Sequence, residues 1–416
     1  MRKNLLLILL VFLIVFSESN AQWQSTYGPT GFAYQRVLCF AQLGSTYFCG
    51  TQADGVWKST DNSSSDWIKV NNGLTNVTVN TLLVIGADLF AGTNGGVFKT
   101  SNSGQNWSSL NNGLSNTSVS SMAVIGSNLF VSTFGGGVFR STDNGSSWTA
   151  VNNGLSSNWI DALTTIGSNV FAASSGFGSS GVYVSTDNGS NWNTANFGLN
   201  VFTVMTITSN GLNLFAVTKE GSATRVFVST NNGTNWILAN TGLPEGLEKC
   251  FAVSGTNIFA GAYDQGVFLS TNNGTNWVAV NEGFGTSRTI RCLGILGTDL
   301  FAGFYGYSVK RRPLSDFGIT AVNDVKDLPA NFSLSQNFPN PFNPSTRIQY
   351  QVSSITNVSL KVYDILGNEA ATLVNEQKPA GIYEVEFDAN QLTSGIYFYK
   401  LQAGSFVEAK KMILIQ

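Results

Sequence analysis

Residues 129–148 read Leu129-Phe130-Val131-Ser132-Thr133-Phe134-Gly135-Gly136-Gly137-Val138-Phe139-Arg140-Ser141-Thr142-Asp143-Asn144-Gly145-Ser146-Ser147-Trp148. A short apolar run, a glycine-rich turn, a second apolar run and a polar hairpin of Asn, Gly and Ser closed by Trp describe strands joined by tight turns. The first run recurs as Tyr47-Phe48-Cys49-Gly50-Thr51 and Leu89-Phe90-Ala91-Gly92-Thr93, and again from Val170, Leu214, Ile258 and Leu300. That makes seven copies spaced 40 to 44 residues apart. Most copies continue through the Trp hairpin into Asn-Asn-Gly-Leu and a further apolar stretch such as 119–125, which leads into the next copy. Four short strands per unit is the content of a propeller blade, and the period is that of a repeat protein. The expected fold is all-β, a seven-bladed β-propeller over residues 22–314.

The tryptophans bear on whether the ring closes. Hairpin Trp residues fall at 67, 107, 148, 192, 236 and 277, and the seventh unit has none. Trp23, 44 residues before Trp67, supplies the missing one. The N-terminal strand around Trp23 is therefore expected to complete the last blade beside residues 310–314, leaving no open sheet edge between first and last blades.

Hairpins 141–148 and 185–192 match Ser/Thr-x-Asp-x-Gly-x-x-Trp in full; Asn102, Asn231 and Asn272 stand for the Asp in three others. The copy ending in Trp67 has one extra residue and no Gly. This hairpin resembles the Asp-box, or BNR, repeat of sialidases, sortilin-type receptors, xyloglucan-degrading hydrolases and photosystem assembly factors. In those families the boxes lie away from the ligand face. Ser141, Asp143, Gly145, Trp148, Ser185, Asp187, Gly189 and Trp192 are thus expected to be structural. Asp and Asn cap local N–H groups, Gly permits positive φ, and Trp covers the turn.

Composition narrows the chemistry. The 416 residues include 44 Gly, 43% apolar residues, only 11% charged residues and no His. Absence of His excludes Ser-His-Asp and Cys-His catalysis and any His-ligated metal, so no metal or cofactor is expected. Residues 22–312 carry 13 basic and 13 acidic side chains, which leaves no basic stripe for nucleic acid. Lys310-Arg311-Arg312, the only cationic run, reads as a solvated strand end. Cys39, Cys250 and Cys292 share one slot of the repeat with Thr81, Ser121, Ala162 and Thr206. Cys there is a small apolar filler, although an oxidising compartment leaves a disulfide open.

The first 21 residues combine Arg2 and Lys3, an apolar run over 5–16 and small residues at Ser19 and Ala21, the pattern of a secretory signal peptide cleaved after Ala21. Twelve apolar residues are too few to span a bilayer, and no later segment is long and apolar enough to do so. At the other end the repeat gives way to a Pro-containing linker over 315–331. Alternating strands follow at 347–352, 358–363, 382–387, 396–402 and 406–415, a small antiparallel sandwich over 332–416. Its Phe338-Pro339-Asn340-Pro341-Phe342-Asn343-Pro344, Val362-Tyr363-Asp364-Ile365-Leu366-Gly367, Ser394-Gly395-Ile396-Tyr397-Phe398-Tyr399 and Lys410-Lys411-Met412-Ile413-Leu414-Ile415-Gln416 motifs resemble the type A sorting domain of type IX secretion. The resemblance implies an immunoglobulin-like sandwich recognised by the outer-membrane translocon. It also implies a protein secreted or displayed at the surface of a diderm bacterium.

A propeller's ligand face is built by the connections between blades and by the turns between second and third strands. Candidate ligand-binding residues there are Trp159, Asp161, Tyr263, Asp264, Arg288, Arg291, Tyr305 and Tyr307, with Tyr34, Arg36, Asp54, Glu220, Arg225, Glu245 and Glu248 on the same face. Aromatic rings beside Arg and carboxylates suit a glycan or protein ligand. A sialidase-like site needs three arginines, for which Arg36, Arg288 and Arg291 are available, but Tyr34-Gln35-Arg36-Val37 departs from that family's Phe/Tyr-Arg-Ile-Pro signature. A xyloglucan-hydrolase-like site needs two carboxylates about 5 to 9.5 Å apart. Asp54, Asp161 and Asp264 qualify by type, but the loops are too short to wall a polysaccharide cleft. The expected function is a non-catalytic binding surface; a carboxylate glycosidase or lyase, or a structural or adhesive envelope role, are the alternatives.

Overall fold

Five consecutive residues buried on both faces, as in Leu89–Thr93 of the second repeat, mark a strand sandwiched between neighbouring sheets. Each repeat has such a strand, because each blade packs face to face on two others. The computed structural model describes residues 22–26, 28, 36–60, 67–176, 180–199, 203–221, 223–244, 247–285, 289–305, 309–319, 332–352, 356–378, 381–404 and 406–415. The expected signal peptide at 1–21, most of the hairpin that ends in Trp67 and residues 320–331 of the expected linker lie outside them.

The described residues of the propeller form seven four-stranded antiparallel sheets. Blade 3 is typical, with strands Val119–Ile125, Asn128–Thr133, Gly137–Ser141 and Thr149–Ala150. The fourth strands are two residues long and exposed, so each blade presents only a short edge to solvent. First strands pack against one another in succession, and that of blade 7, Ile290–Leu296, packs against that of blade 1, Val37–Leu43. The protein is an all-β propeller followed by a β-sandwich.

In blade 7 the outer strand is Gln24–Ser25, paired with Val309–Pro313 as Gln24 to Arg311 and Ser25 to Lys310. Trp23 is 3% exposed and stacks on Phe284 with ring centroids 4.6 Å apart. Its indole donates to the Val280 carbonyl at 2.6 Å, and its amide donates to Glu282 O at 2.8 Å. Trp148 does the same in blade 3, its indole donating to Leu110 O and its amide to Asn112 O. The Gly of Asn-Asn-Gly-Leu is required at this contact. A Cβ on Gly113, whose φ is +87°, would lie 2.2 Å from the Trp148 carbonyl oxygen.

The slot that holds Cys39, Cys250 and Cys292 is a volume-matched pair across the first two strands. Cys39, Thr81 and Cys292 face Gly50, Gly92 and Gly303, while Ser121 faces Ser132 and Ala162 faces Ala173. A Cβ on Gly303 would meet Cys292 Sγ at 2.5 Å and Val37 of the next blade at 2.8 Å, so this pair also sets the spacing between blades 7 and 1. All four thiols are free. Burial pushes the Cys39 thiol up to about 12 and those of Cys49 and Cys292 well above the ordinary value.

Two expectations need correction. Lys310-Arg311-Arg312 is not a solvated strand end. Arg312 is 5% exposed and pairs with Glu282 at 2.7 Å and Asp316 at 3.5 Å, Arg311 pairs with Asp299 at 2.6 Å, and the Lys310 ammonium donates to Gly283 O at 2.8 Å. A strand feeding the closure seam is inside the joint, where its charges need partners. The propeller core also extends past residue 314. A 3-10 turn, Leu314–Phe317, sets the Phe317 ring against Phe259 and Trp23, and Ile319 is buried.

The C-terminal sandwich packs a three-stranded sheet, containing Ser345–Val352 and Gly381–Asp388, against a four-stranded one. The latter runs in the order Glu369–Lys378, Thr356–Tyr363, Gly395–Ala403, Phe406–Leu414. Its core includes Leu360, Val362, Tyr399, Leu401 and Met412. The strand Glu369–Lys378 has no counterpart in the sequence reading; two bulges interrupt its pairing and blur the alternation.

Candidate functional site

Every blade has two ends, and sequence decides what each carries. At one end lie the tight turns between first and second strands and the Trp hairpins between third and fourth. Asp143 shows the hairpin's work. Its Oδ1 accepts from Ser141 Oγ at 2.7 Å and from the Ser147 amide at 2.9 Å, its Oδ2 accepts from Ser147 Oγ at 2.6 Å, and Ser141 Oγ accepts from the Gly145 amide at 2.8 Å. Asp187 repeats the pattern with Ser185, Gly189 and Asn191. These donors hold both carboxylates down to about 2. Asn102, Asn231 and Asn272 accept the same amide bond, from residues 106, 235 and 276. The job is therefore to accept hydrogen bonds, and a charge is dispensable.

The opposite end carries the turns between second and third strands and the connections between blades. Side chains of Asn71, Asn111, Asn152 and Asn281, the first Asn of each Asn-Asn-Gly-Leu or its equivalent, brace these turns. Asn71 accepts from the Val56 amide and donates to Asp54 O, both at 2.8 Å. Asn281 accepts from Val267 N at 2.8 Å and donates to Gln265 O at 2.9 Å. This positioning role was not read from sequence, although the recurrence of Asn before Asn-Gly-Leu was its signal.

At each blade's start the first strand carries a bulge, and the residue in it is Asn80 in blade 2, Ser120 in blade 3, Asp161 in blade 4 and Arg291 in blade 7. Asn80 donates to Val119 O at 2.7 Å and Ser120 to Ile160 O at 2.6 Å, each reaching the next blade. Two of the sequence candidates, Asp161 and Arg291, thus occupy one structural slot on different blades.

Blades 6, 7 and 1 bring several candidates together. Tyr305 pairs with Arg36 as an antiparallel bridge, and the Arg36 guanidinium lies 4.5 Å from the Tyr305 ring centroid. The Arg291 guanidinium lies 5.5 Å from the same centroid. The Tyr305 amide donates to Thr289 O at 3.2 Å, and the Thr289 hydroxyl donates to Asp264. Asp264 sits at φ +56°, in the left-handed region, at the tip of its turn. Tyr305 remains 41% exposed and Tyr263 51%. Trp159, 55% exposed, belongs to a separate group at blades 3 and 4, where it bridges to Phe134. Other charges on this end are already paired, Asp54 with Lys69 and Glu220 with Arg225 at 3.1 Å. Arg288, Tyr307, Tyr34 and Glu245 lie outside the described residues, as does the Glu248 side chain. Among the described residues no group of three or more metal-ligating side chains converges.

Comparison with known proteins separates the two parts of the chain. Residues 336–416 match the family described as the secretion system C-terminal sorting domain. The protein is exported by type IX secretion, to the cell surface or beyond it. Among the described residues no helix is long and apolar enough to cross a membrane. No curated protein sequence matches the chain. Among solved structures, the GH74 xyloglucanase from Xanthomonas campestris is similar with a TM-score of 0.57 at 12% identity, over 79% of this chain and 59% of that one. This chain thus spans well under two thirds of that enzyme. The GH74 enzyme of Niastella koreensis gives 0.56 at 14% identity over 95% and 75% of the two chains. YCF48 bound to D1 peptide gives 0.55 at 15% identity over 71% and 98%. At these identities the likeness shows the fold alone.

Proposed function

We propose that the propeller is a non-catalytic binding module, displayed outside the outer membrane, whose ligand is a glycan or a protein segment. The ligand meets the end bearing the second-to-third-strand turns. The observation that carries this reading is the exposed Tyr305 ring held by Arg36 and Arg291, with Tyr263 and Trp159 exposed on the same end. Each ring offers an apolar face for stacking, while the guanidiniums fix the ligand's orientation. The turns are braced by the side chains of Asn71 and Asn281, so little conformational entropy is lost when a ligand docks. YCF48, a propeller of similar fold, binds a peptide, which fits a surface of this kind. The GH74 likeness, at 12% identity, supplies a scaffold alone, and Asp264 accepts a hydrogen bond from the Thr289 hydroxyl.

The test uses the mature propeller without residues 331–416 on a glycan array and a peptide library, with release of reducing sugar followed in parallel. Binding without turnover, weakened about tenfold or more by Tyr305→Ala, supports the module. Turnover abolished by Asp161→Asn or Asp264→Asn would replace it with a glycosidase.

A further inference from the structure

The sorting domain's four-stranded sheet buries one face and leaves the other open. Register places Tyr363, Phe398 and Lys411 in one row across three strands, with Lys361, Lys400 and Ala409 in the row beside it and Ile396 opposite Ile413 in the row on the other side. Residues directly opposite in antiparallel pairs share a face. The alternate residues Val362, Tyr399 and Met412 are buried in the core, so these rows lie on the outer face. The turn after Tyr363 ends this face with Ile365, 69% exposed, and Leu366, 81% exposed. The turn is rigid. Asp364 accepts from the amides of Leu366 and Asn368 at 2.8 and 2.9 Å and from the Asn368 side chain at 2.9 Å, and these bonds hold its carboxyl below the usual range. Ile396, Phe398 and Ile415 are exposed beside it. Three of the sequence motifs quoted above therefore place their exposed residues at one end of one sheet.

We propose that this apolar end, bordered by Lys361, Lys400 and Lys411, is the surface by which the sorting domain docks on a protein receptor of the secretion machinery, one offering an apolar cleft flanked by carboxylates. The proposal rests on the reading of residues 336–416 as a sorting domain. Lys361 and Lys400 stand directly opposite each other, and since Lys361 is paired with Glu369 within the sheet, Lys400 is the charge that a partner carboxylate would meet. A groove of about 300 Å³, lined by both lysines with Ser359, Tyr363, Asn375 and Gln402, is available for it. Glu369 engages Lys361 at 2.8 Å from the side and leaves the groove open. A second copy of the chain fits poorly, since a two-fold contact would set the lysine row against itself.

Two full-length variants test this in a type IX-competent bacterium, Ile365→Asp with Leu366→Asp, and Lys400→Glu with Lys411→Glu. Arg347→Ala, on the other sheet, is the control. The expected result is a drop of about tenfold or more in exported protein for both variants, with precursor held in the periplasm and an unchanged unfolding midpoint of the purified chain. Wild-type export of both variants, while deletion of 332–416 blocks export, would overturn the docking face and leave the sorting assignment standing. Wild-type export of the deletion would remove the sorting assignment as well. Co-sedimentation with phosphatidylglycerol vesicles that the variants lose would assign the face to lipid, and a concentration-dependent dimer that they lose would assign it to a second copy; either overturns the proposal.

Discussion

Trp23→Ala tests the closure of the ring. Trp23 is 3% exposed, stacks on Phe284 and Phe317, and donates its indole N–H to Val280 at the end of blade 6. Removing a buried Trp costs about 3 to 5 kcal/mol through lost burial and the cavity left behind. Trp23→Phe keeps most of the ring area and leaves the Val280 carbonyl only its longer bond from Arg312, at 3.4 Å, for about 1 kcal/mol. With a urea dependence at or above about 3 kcal/mol per M for a chain of this size, the alanine variant should lower the unfolding midpoint by about 1 M. Trp148→Ala, an equivalent residue within the ring, should do the same. Hydrogen exchange should also accelerate at residues 309–313, whose outer partner strand hangs on Trp23. A shift for Trp23→Ala no larger than that of an ordinary surface change, about 0.5 kcal/mol, would refute the closure by residues 22–26.

The hairpin carboxylates make a signed pH prediction. Asp143 and Asp187 titrate at about 2 in the folded chain against an ordinary 3.8, so their stabilising effect is whole above about pH 4 and is lost as pH falls toward 2. Asn at both positions should flatten that part of the acid limb of the urea midpoint and lower the midpoint at pH 7, since Asn keeps the amide bond but its nitrogen cannot accept from Ser147 Oγ or Asn191 Nδ2; an unaltered acid limb would show that the bonds do not form. The cysteines should all be titratable by a thiol reagent in denaturant without reductant, four per chain, and slow to react in the native state. Fewer than four would reveal a disulfide. In the sorting domain Tyr399 donates to Ser335 O and accepts from Asn337 N, both at 2.8 Å, so Tyr399→Phe should cost about 1 to 3 kcal/mol in thermal or urea unfolding of that domain.

What the sequence made legible follows from what its repeated residues do. The Gly of Asn-Asn-Gly-Leu, the hairpin Asp or Asn and the Trp each meet a backbone group of their own or the adjoining blade, and a backbone contact recurs wherever the backbone does. Repetition therefore exposes them. Features outside that logic were hidden. The strand Glu369–Lys378 is bulged, and the pairing of Arg311 and Arg312 with Asp299, Glu282 and Asp316 depends on a seam made once in the chain.

The candidate site is hidden for the same reason. Its slot is periodic, a bulge at the start of each first strand, but the occupants Asn80, Ser120, Asp161 and Arg291 share no chemistry, because folding asks of that slot only a bulge. In the sequence Arg36 and Tyr305 stand at opposite ends of the propeller. Only when Ile290–Leu296 packs against Val37–Leu43 does the guanidinium of one come to lie over the ring of the other. The site with the most developed chemistry thus sits at the seam where the ring closes, and a change that loosens Trp23 should weaken ligand binding at Tyr305 without touching it. Trp148→Ala, a comparable loss within blades 2 and 3, should destabilise the propeller as much and spare that binding under native conditions. Equal loss of binding in both variants would mean that binding follows the stability of the whole propeller and not the closure of the seam at the Arg36–Tyr305 pair.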